Sequence, residues 1–581
     1  MAPERLPRIA ALFVLLLAWS AAPSAAAGIE RYGDITVSIG DAAGPATAEG
    51  YVSLPVVISN DGARARRVGV RVPERSYGGG SDHLSSLRRD FEVEPGGTVR
   101  GELLLPPLEL SGNNAAAVSV DGVTQRDAVS VAVTFHSVGS PGLLVSGTVD
   151  RAVRSRLEAA VEAYNDGTTT GGYRGGSGQV SATTAEPVEQ WSRSWLGYTG
   201  FAAVLVTGED LRRMPAAVAA ALRGWVFSGG QLVVLGADAD AALAGAAEGL
   251  GRVTGWGPDA PERTDDAAAE RFLGEALGFA DAAAEPMDAG SAESAFPVVE
   301  GLTTPVRGLV LLMLLFAVLI GPVNILLLSY LKRRMWLLWT VPLGSAVFSL
   351  GVVAFAFLSE GIAPKARTQA VTYLDQTTQQ AVTIGMRGYY APLTPGDGLR
   401  FPMTTKVVAQ VDRHGWGDGG RGRSVDLTAG QHLTRGWVAA RVPTHLELTD
   451  VTQTRLRLDV EELPGGGVAV TNGLGEELTN LRLVGRDGGR FVASVVAAGE
   501  RVELKPTAGG GDGGLWDDDF RREGWKLNLE LRSDPWVALT PGMFSGSLGG
   551  SVFLADGIDG LAEHRVDAVV LGRYAPAGGG S

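Results

Sequence analysis

The chain has 581 residues, of which 45% are hydrophobic, and its 50 Lys and Arg against 64 Asp and Glu give a formal net charge of −14. A phosphate backbone repels a chain with this excess of negative charge, so we exclude a nucleic-acid partner. Cysteine is absent, which excludes a lipoprotein anchor, a thiolate nucleophile and a Cys-ligated metal site.

The N-terminus has the pattern of a secretory signal. Arg5 and Arg8 precede an apolar stretch from Ile9 to about Ala21, and Ser24-Ala25-Ala26-Ala27 supplies small residues suited to cleavage. We expect a signal peptide over residues 1–27. An uncleaved signal anchor is the alternative, and it also delivers the following residues outside the cytoplasm.

Residues 28–140 carry short alternating apolar segments separated by turn sequences such as Asn60-Asp61-Gly62. Alternation with period two indicates half-buried strands, and this spacing is typical of an immunoglobulin-like sandwich. Both a spacer and a ligand-binding module are open interpretations. The expected strands are Ile35–Ile39, Tyr51–Ile58, Arg67–Val72, Phe91–Val93, Val99–Leu105 and Ala128–Phe135.

Residues 141–300 alternate strand and helix patterns. Continuous apolar strands that bracket amphipathic helices predict a parallel sheet covered on both faces, of flavodoxin-like or amidotransferase-like type. The expected strands are Gly142–Ser146, Ala202–Thr207 and Gln231–Leu235, and the expected helices are Asp150 to about Tyr164, one with Pro215 near its start, Ala241–Leu250 and Ala267–Leu277.

This α/β region resembles non-catalytic members of the class I glutamine-amidotransferase-like fold, including periplasmic domains of ABC-transporter auxiliary proteins of the gliding-motility type. The resemblance covers roughly residues 140–290. It departs from the family in lacking the nucleophilic Cys, and in having Ala203 where related domains often have Asp, so it implies fold rather than amidotransfer. The matching residues are Trp191, Tyr198, Ala203-Val204-Leu205-Val206, Leu222 to Val226 and Gly229-Gly230-Gln231-Leu232-Val233-Val234.

Acidic residues follow two strands of the predicted parallel sheet. Glu209 and Asp210 follow one strand, and Asp238 and Asp240 follow its neighbour. Because ligands bind at the carboxyl edge of such sheets, the two pairs are a candidate ligand edge that could bind a cation or act as acid and base. The competing interpretation is that they cap helix N-termini.

Two apolar runs, Gly308–Leu331 and Met335–Leu358, are separated only by Lys332-Arg333-Arg334. Each is roughly 36 Å long as a helix, against a hydrocarbon core of about 30 Å, and so short a turn cannot recross the bilayer. We predict a transmembrane hairpin with helices at residues 306–331 and 335–359. The signal pattern and the basic turn orient the turn towards the cytoplasm and both polar regions outside it.

Within the first apolar helix, Pro322 removes a backbone donor and predicts a kink, and Asn324 requires a polar partner in lipid. That partner is Ser329, the facing helix or another protein. Pro322 and Asn324 are therefore a candidate membrane helix contact.

Residues 366–581 form a predicted C-terminal β-rich region that contains a second sandwich. The order of strand, Asn472 turn, strand and Gly499 turn repeats that of the first sandwich. The expected strands are Gln369–Leu374, Gln380–Ile384, Thr454–Val460, Gly467–Thr471, Leu481–Val484, Phe491–Val496 and Arg501–Leu504, with Ser551–Ala555 and Val566–Leu571 closing the fold.

No catalytic motif is found, and the six histidines lack the spacing of paired metal ligands. We therefore expect no enzyme activity, no cofactor and no metal. The expected protein is a bacterial cytoplasmic membrane protein that binds or scaffolds an envelope protein partner. By resemblance, it is auxiliary to an envelope transport or assembly complex. The alternatives are an envelope hydrolase using the acidic sheet edge and a passive structural spacer.

Overall fold

The protein is described from a computed structural model, and more of its described residues lie in β-strands than in helices. The structure describes residues 28–42, 47, 50–73, 82–110, 115–131, 142–170, 182–185, 187–235, 249–256, 289–299, 306–360, 363–411, 421–507, 539–561 and 563–575. The predicted signal peptide, Asp238, Asp240, and the predicted helices Ala267–Leu277 and (except its last two residues) Ala241–Leu250 lie outside these ranges.

Among the described residues, ten strands precede the α/β region and form the first module. Inward positions carry Val, Ile and Leu at period two, as in Ile35–Ile39, where Ile35, Val37 and Ile39 are buried and the residues between them are half-exposed. The strands are β1 (Gly28–Tyr32), β2 (Ile35–Ile39), β3 (Val52–Asn60), β4 (Arg66–Val72), β5 (His83–Val93), β6 (Thr98–Leu105), β7 (Glu109–Leu110), β8 (Ala115–Val120), β9 (Val123–Thr124) and β10 (Val129–Ser130).

The α/β region contains a parallel sheet of β11 (Gly142–Ser146), β12 (Ala182–Ala185), β13 (Phe201–Thr207), β14 (Gln231–Leu235) and β15 (Arg252–Trp256), in the order β12-β11-β13-β14-β15. Strands β11 and β14 are buried at every position, which explains why their sequences are continuous apolar runs rather than alternating ones. The helices are α1 (Arg151–Thr170), α2 (Gly208–Arg213) and α3 (Ala216–Phe227).

Helix α4 (Ala289–Ala295) precedes the apolar segment, which consists of α5 (Val306–Val318), a π-helical turn (Leu319–Val323), α6 (Asn324–Tyr330) and α7 (Leu337–Glu360). Among the described residues, one helix, Val310–Tyr330, is long and apolar enough to cross a membrane, with a mean hydropathy of 2.7. Within α7, Leu337–Val353 is a shorter apolar helix.

Among the described residues, fifteen strands follow the apolar helices: β16 (Lys365–Asp375), β17 (Gln380–Tyr390), β18 (Leu399–Phe401), β19 (Thr405–Ala409), β20 (Gly422–Asp426), β21 (Gln431–Arg435), β22 (Thr444–Gln453), β23 (Arg457–Leu463), β24 (Gly467–Gly473), β25 (Leu478–Val484), β26 (Arg490–Val496), β27 (Arg501–Glu503), β28 (Lys505–Pro506), β29 (Met543–Leu548) and β30 (Glu563–Arg573). Twelve of them form a nine-stranded sheet in the order β19-β22-β17-β16-β30-β29-β25-β26-β28 and a three-stranded sheet in the order β23-β24-β27. The other three, β18, β20 and β21, join a sheet of the first module.

The hydrogen bonding of the first module recurs in the C-terminal half. The antiparallel pairs β2–β3, β3–β6, β4–β5, β4–β8 and β8–β10 of the first module recur as β23–β24, β24–β27, β25–β26, β25–β29 and β29–β30. We call this set of strands in the C-terminal half the second module.

Asn60 and Asn472 occupy the same place in the two modules and make the same bonds. Each is buried, and each side-chain oxygen accepts a hydrogen bond from the backbone N–H two residues ahead, at 3.0 and 3.1 Å. Each side-chain nitrogen donates to the carbonyl four residues ahead, at 2.8 Å in both modules. It also donates to the carbonyl of the last residue of β5 in the first module, Val93 at 3.1 Å, and of β26 in the second module, Val496 at 2.9 Å. These bonds satisfy backbone groups that the turn would otherwise bury unpaired.

The halves of the chain before and after the apolar helices share one sheet. Strand β20 lies parallel to β5, with Gly422 opposite His83 and Asp426 opposite Arg88, and β21 and β18 extend the same sheet. One continuous hydrophobic core includes Val56 of the first module, Trp225 of the α/β region and Leu446 of the C-terminal half. This pairing differs from the expectation that residues 366–581 form one separate region.

Two further sequence expectations differ from the structure. Residues 551–555 form turns and not a strand, because Arg387 and its neighbours hold this segment through side-chain contacts rather than a ladder. Of the expected strand Ala128–Phe135, only Val129–Ser130 is described as a strand, and residues 132–135 lie outside the described residues.

Candidate functional site

The parallel sheet reverses its strand order between β11 and β13. In chain order its strands run 2-1-3-4-5, and in open sheets of this kind ligands bind outside the carboxyl ends of the strands at the point of reversal. The carboxyl end of β11 carries Ser146 and Thr148, and that of β13 carries Thr207, followed by α2. We call Ser146, Thr148, Thr207 and Asp210 the hydroxyl cluster.

Asp210 holds the hydroxyl cluster together. Its Oδ2 accepts hydrogen bonds from the Thr148 hydroxyl at 2.6 Å and from the Thr207 backbone N–H and hydroxyl, both at 2.8 Å. Thr207 in turn accepts a bond from the Asp210 N–H at 3.2 Å, which completes a capping box at the start of α2. Asp210 is 1% exposed. The Asp210 carboxylate therefore has two structural roles. It caps the N-terminus of α2, and it links the ends of β11 and β13 through hydrogen bonds.

Glu209, the second predicted residue of this pair, points away from the cluster. Its carboxylate lies 3.6 Å from the Arg213 guanidinium one turn along α2, and both side chains are more than half exposed. The structure thus separates the roles of Glu209 and Asp210. The partner pair of the predicted ligand edge, Asp238 and Asp240, lies outside the described residues. Among the described residues, no group of three His, Asp or Glu side chains is placed to hold a metal ion.

The second candidate site lies inside the apolar helices. Pro322 is within the π-helical turn Leu319–Val323, where the regular helical bonding changes between α5 and α6. Asn324 begins α6, and its side-chain nitrogen donates to the Thr340 hydroxyl of α7 at 3.0 Å. Of the three partners considered for Asn324, the structure shows the facing helix. The bond gives the Asn324 amide a polar partner within an otherwise apolar segment.

A third site, which no motif in the sequence indicates, lies where the chain enters and leaves the apolar helices. We call Glu293, Phe296, Arg367 and His445 the juxtamembrane clamp. His445 on β22 is 2% exposed, and its Nε2 donates to the Phe296 carbonyl at 2.8 Å. The Arg367 guanidinium on β16 stacks 4.4 Å above the Phe296 ring and donates to the Pro297 carbonyl at 3.3 Å. Both ends of the apolar segment are thereby fixed to the same sheet.

Burial shifts two pKa values in the juxtamembrane clamp. Loss of solvent lowers the pKa of His445, with the hydrogen bond to Phe296 opposing the shift, so the neutral imidazole is favoured. Burial raises the pKa of Glu293, whose carboxylate lies 3.5 Å from the His445 ring. No motif connects these residues in the sequence, because His445 is 149 positions from Phe296.

A buried network of side chains surrounds Arg387, and no motif in the sequence indicates it. The Thr368 hydroxyl accepts from Arg387 Nε at 2.7 Å and contacts His564 Nε2 at 2.8 Å, and His564 Nδ1 lies 3.7 Å from Asp556. This order of hydroxyl, imidazole and carboxylate resembles a hydrolytic triad. Thr368 is 0% exposed, however, so a substrate cannot reach its oxygen. Arg387 also donates to the Ala555 carbonyl, and the network anchors the 551–556 segment.

No family model and no curated protein matches the chain. Among solved structures, the chain is similar to the yeast delta-COP-I mu-homology domain complexed with a Dsl1 WxWxV peptide, at 9% identity over 36% of this chain and 96% of that chain, with a TM-score of 0.17. The same domain alone gives 10% identity over 36% and 95%, with a TM-score of 0.17.

A Paenibacillus sp. cycloisomaltooligosaccharide glucanotransferase complexed with cycloisomaltoheptaose is also similar, at 10% identity over 34% of this chain and 28% of that chain, with a TM-score of 0.13. TM-scores this low support no inference about this chain.

Proposed function

We propose that the chain is a membrane-anchored extracytoplasmic scaffold whose two large polar regions lie on the same side of the bilayer and together bind an envelope partner. The observation that carries this proposal is the pairing of β20 with β5. These strands come from opposite sides of the apolar helices in sequence. Two strands cannot form one ladder across a hydrocarbon core of about 30 Å.

The shared sheet supports an even number of membrane crossings between β5 and β20. Val310–Tyr330 supplies one crossing. Helix α7 supplies the return, because its 24 residues correspond to about 36 Å of helix. The bond between Asn324 and Thr340 joins the two helices as a hairpin. The N-terminal signal pattern and the basic turn at residues 332–334 orient both polar regions outward.

Contacts between the two halves support a rigid scaffold rather than domains on flexible linkers. The Trp195 indole donates to the Thr404 carbonyl at 2.9 Å, and Arg423 pairs with Asp82 at 3.1 Å with both side chains largely buried. A rigid body fixed to the bilayer by the juxtamembrane clamp can present a defined surface to a neighbouring complex. The resemblance of the α/β region to transporter auxiliary domains makes an export or assembly complex the preferred partner.

Crosslinking in native membranes tests the scaffold proposal. A crosslinker applied to intact cells should couple the chain to one recurrent envelope protein, and mass spectrometry should place the crosslinks on the extracytoplasmic regions. A version in which Gly422–Asp426 is replaced by a flexible Gly-Ser segment of equal length should lose that partner while it stays in the membrane. If no recurrent partner appears, or if the partner is cytosolic, the scaffold proposal is wrong.

A further inference from the structure

We propose that the tip of the helical hairpin binds the phosphate group of an anionic phospholipid. The tip comprises residues 331–336, between α6 and α7. This inference rests on the proposed function, in which the two helices lie in a bilayer. It goes beyond anchoring because it assigns a ligand of defined charge to a defined set of side chains.

The backbone of the tip holds Lys332 in a conformation that lysine disfavours. The N–H of Lys332 bonds to the Ser329 carbonyl at 3.1 Å and that of Arg333 to the Leu328 carbonyl at 3.0 Å. This is the Schellman pattern of helix ending, in which the residue after the helix has positive φ and is usually glycine. Lys332 has a φ of 53°. A glycine would suit this position better, so the sequence places the Lys332 ammonium group at the tip at a cost in backbone strain.

The side chains of the tip match the level of lipid phosphates. Lys332 and Arg333 are exposed, and the Arg333 guanidinium lies 5.4 Å above the Trp336 ring. Trp336 and Trp339 are 55% and 76% exposed, as expected of rings that sit among headgroups. Cations that directly flank apolar helices are held at the bilayer surface, where the phosphates are. This position favours a lipid over an acidic protein.

The expected effect of each charge is measurable. A basic residue near an anionic membrane surface contributes about 1 kcal/mol, which corresponds to roughly a fivefold change in affinity. Lys332→Gly removes the charge and relaxes the backbone. Lys332→Gln removes the charge and leaves the backbone strained, and Lys332→Arg keeps the charge. These three variants separate electrostatic recognition from the stability of the turn.

The test uses the full chain in nonionic detergent micelles, with a fluorescent phosphatidylglycerol as the probe. Unlabelled phosphatidylglycerol, phosphatidylcholine and inorganic phosphate are the competitors. The Gly and Gln variants should each bind about fivefold more weakly, and Lys332→Arg should bind like the unaltered chain. Arg457→Gln is the matched control, because Arg457 is also exposed but lies in the second module. It should leave the affinity unchanged.

The inference is overturned if Lys332→Gln binds like the unaltered chain, if phosphatidylcholine competes as well as phosphatidylglycerol, or if inorganic phosphate alone displaces the probe at equal concentration. Flotation with vesicles separates this failure from failure of the proposed function. A chain that floats without preferring anionic lipid contradicts only the lipid site. A chain that stays in solution contradicts the membrane anchor itself.

Discussion

Replacing Tyr51 with Phe should loosen the joint between the two halves of the chain. Tyr51 lies in the first module and is 2% exposed. Its hydroxyl donates to Gln431 Oε1 at 2.8 Å and accepts from the Val407 N–H at 3.2 Å, and both partners belong to the C-terminal half. Burial raises the pKa of Tyr51, so the hydroxyl stays protonated as the donor to Gln431.

The size of the effect follows from what the substitution leaves behind. Phenylalanine keeps the ring and its packing, so the loss is confined to two buried polar groups without partners. Each unsatisfied group costs about 1–3 kcal/mol, so we expect roughly 2–6 kcal/mol for the two groups together. At about 1.4 kcal/mol per factor of ten, amide exchange in β19 and β21 should accelerate by about 25- to 20,000-fold where exchange follows local opening.

Hydrogen–deuterium exchange of the full chain in detergent measures this directly. Tyr32→Phe is the matched control, because the Tyr32 hydroxyl donates to the Asp127 carbonyl at 2.8 Å in an exposed position within the first module. The control should leave β19 and β21 unchanged. Unaltered exchange in β19 and β21 of Tyr51→Phe would refute the claim that this hydroxyl holds the two halves together.

Four further predictions concern the other sites. Gly388→Ala should displace residues 296–298 and expose them to protease, because its Cβ would overlap Cγ2 of Val298, whereas Gly396→Ala has open space and should change nothing. The juxtamembrane clamp should weaken as the pH falls below about 6.5, because the lowered pKa of His445 means that the unfolded imidazole takes up the proton first, and exchange of residues 289–299 should rise in that range. The raised pKa of Glu293 acts in the opposite sense, because the folded carboxyl takes up the proton first, so His445→Gln should abolish the rise in exchange. A double-mutant cycle of Asn324→Leu and Thr340→Val should give a coupling of about 0.6–2 kcal/mol in detergent unfolding, and additive single effects would contradict the bond between the helices. Asp210→Ala should destabilise the start of α2 by about 1–3 kcal/mol by exchange, whereas Glu209→Ala, on the exposed side of α2, should have no measurable effect.

Local patterns in the sequence predict individual strands well. Strand β2 alternates because one of its faces is buried, and β14 is continuously apolar because both of its faces are covered. In strand β16, the local pattern does not predict which residues are buried. Its sequence mixes polar and apolar residues, yet Arg367, Thr368 and Thr372 are buried, because the strand lies in the interior of a nine-stranded sheet. The hydroxyls of Thr368 and Thr372 bond to side chains of the neighbouring strand β17.

Pairing between distant strands is not encoded in any local pattern. The contact between Arg421 and Asp82 spans 339 positions, and alternation in β20 reveals a strand but not its neighbour. For the same reason, only part of the hydroxyl cluster can be predicted from the sequence. The sequence indicates that Asp210 follows a strand, which is enough to expect a helix cap. The Thr148 hydroxyl that binds it comes from another strand and is known only from the fold.

Labelling of single cysteines tests most directly whether both halves lie on one side of the membrane. The chain contains no cysteine, so each introduced thiol is the sole target. Glu92→Cys and Glu477→Cys are at exposed positions in the two modules, and Met335→Cys is at the tip, where Met335 is 89% exposed. An impermeant maleimide added to intact spheroplasts should label the first two equally and the third only after permeabilisation. Protection of Glu92→Cys or Glu477→Cys alone would contradict a sheet shared between the two halves.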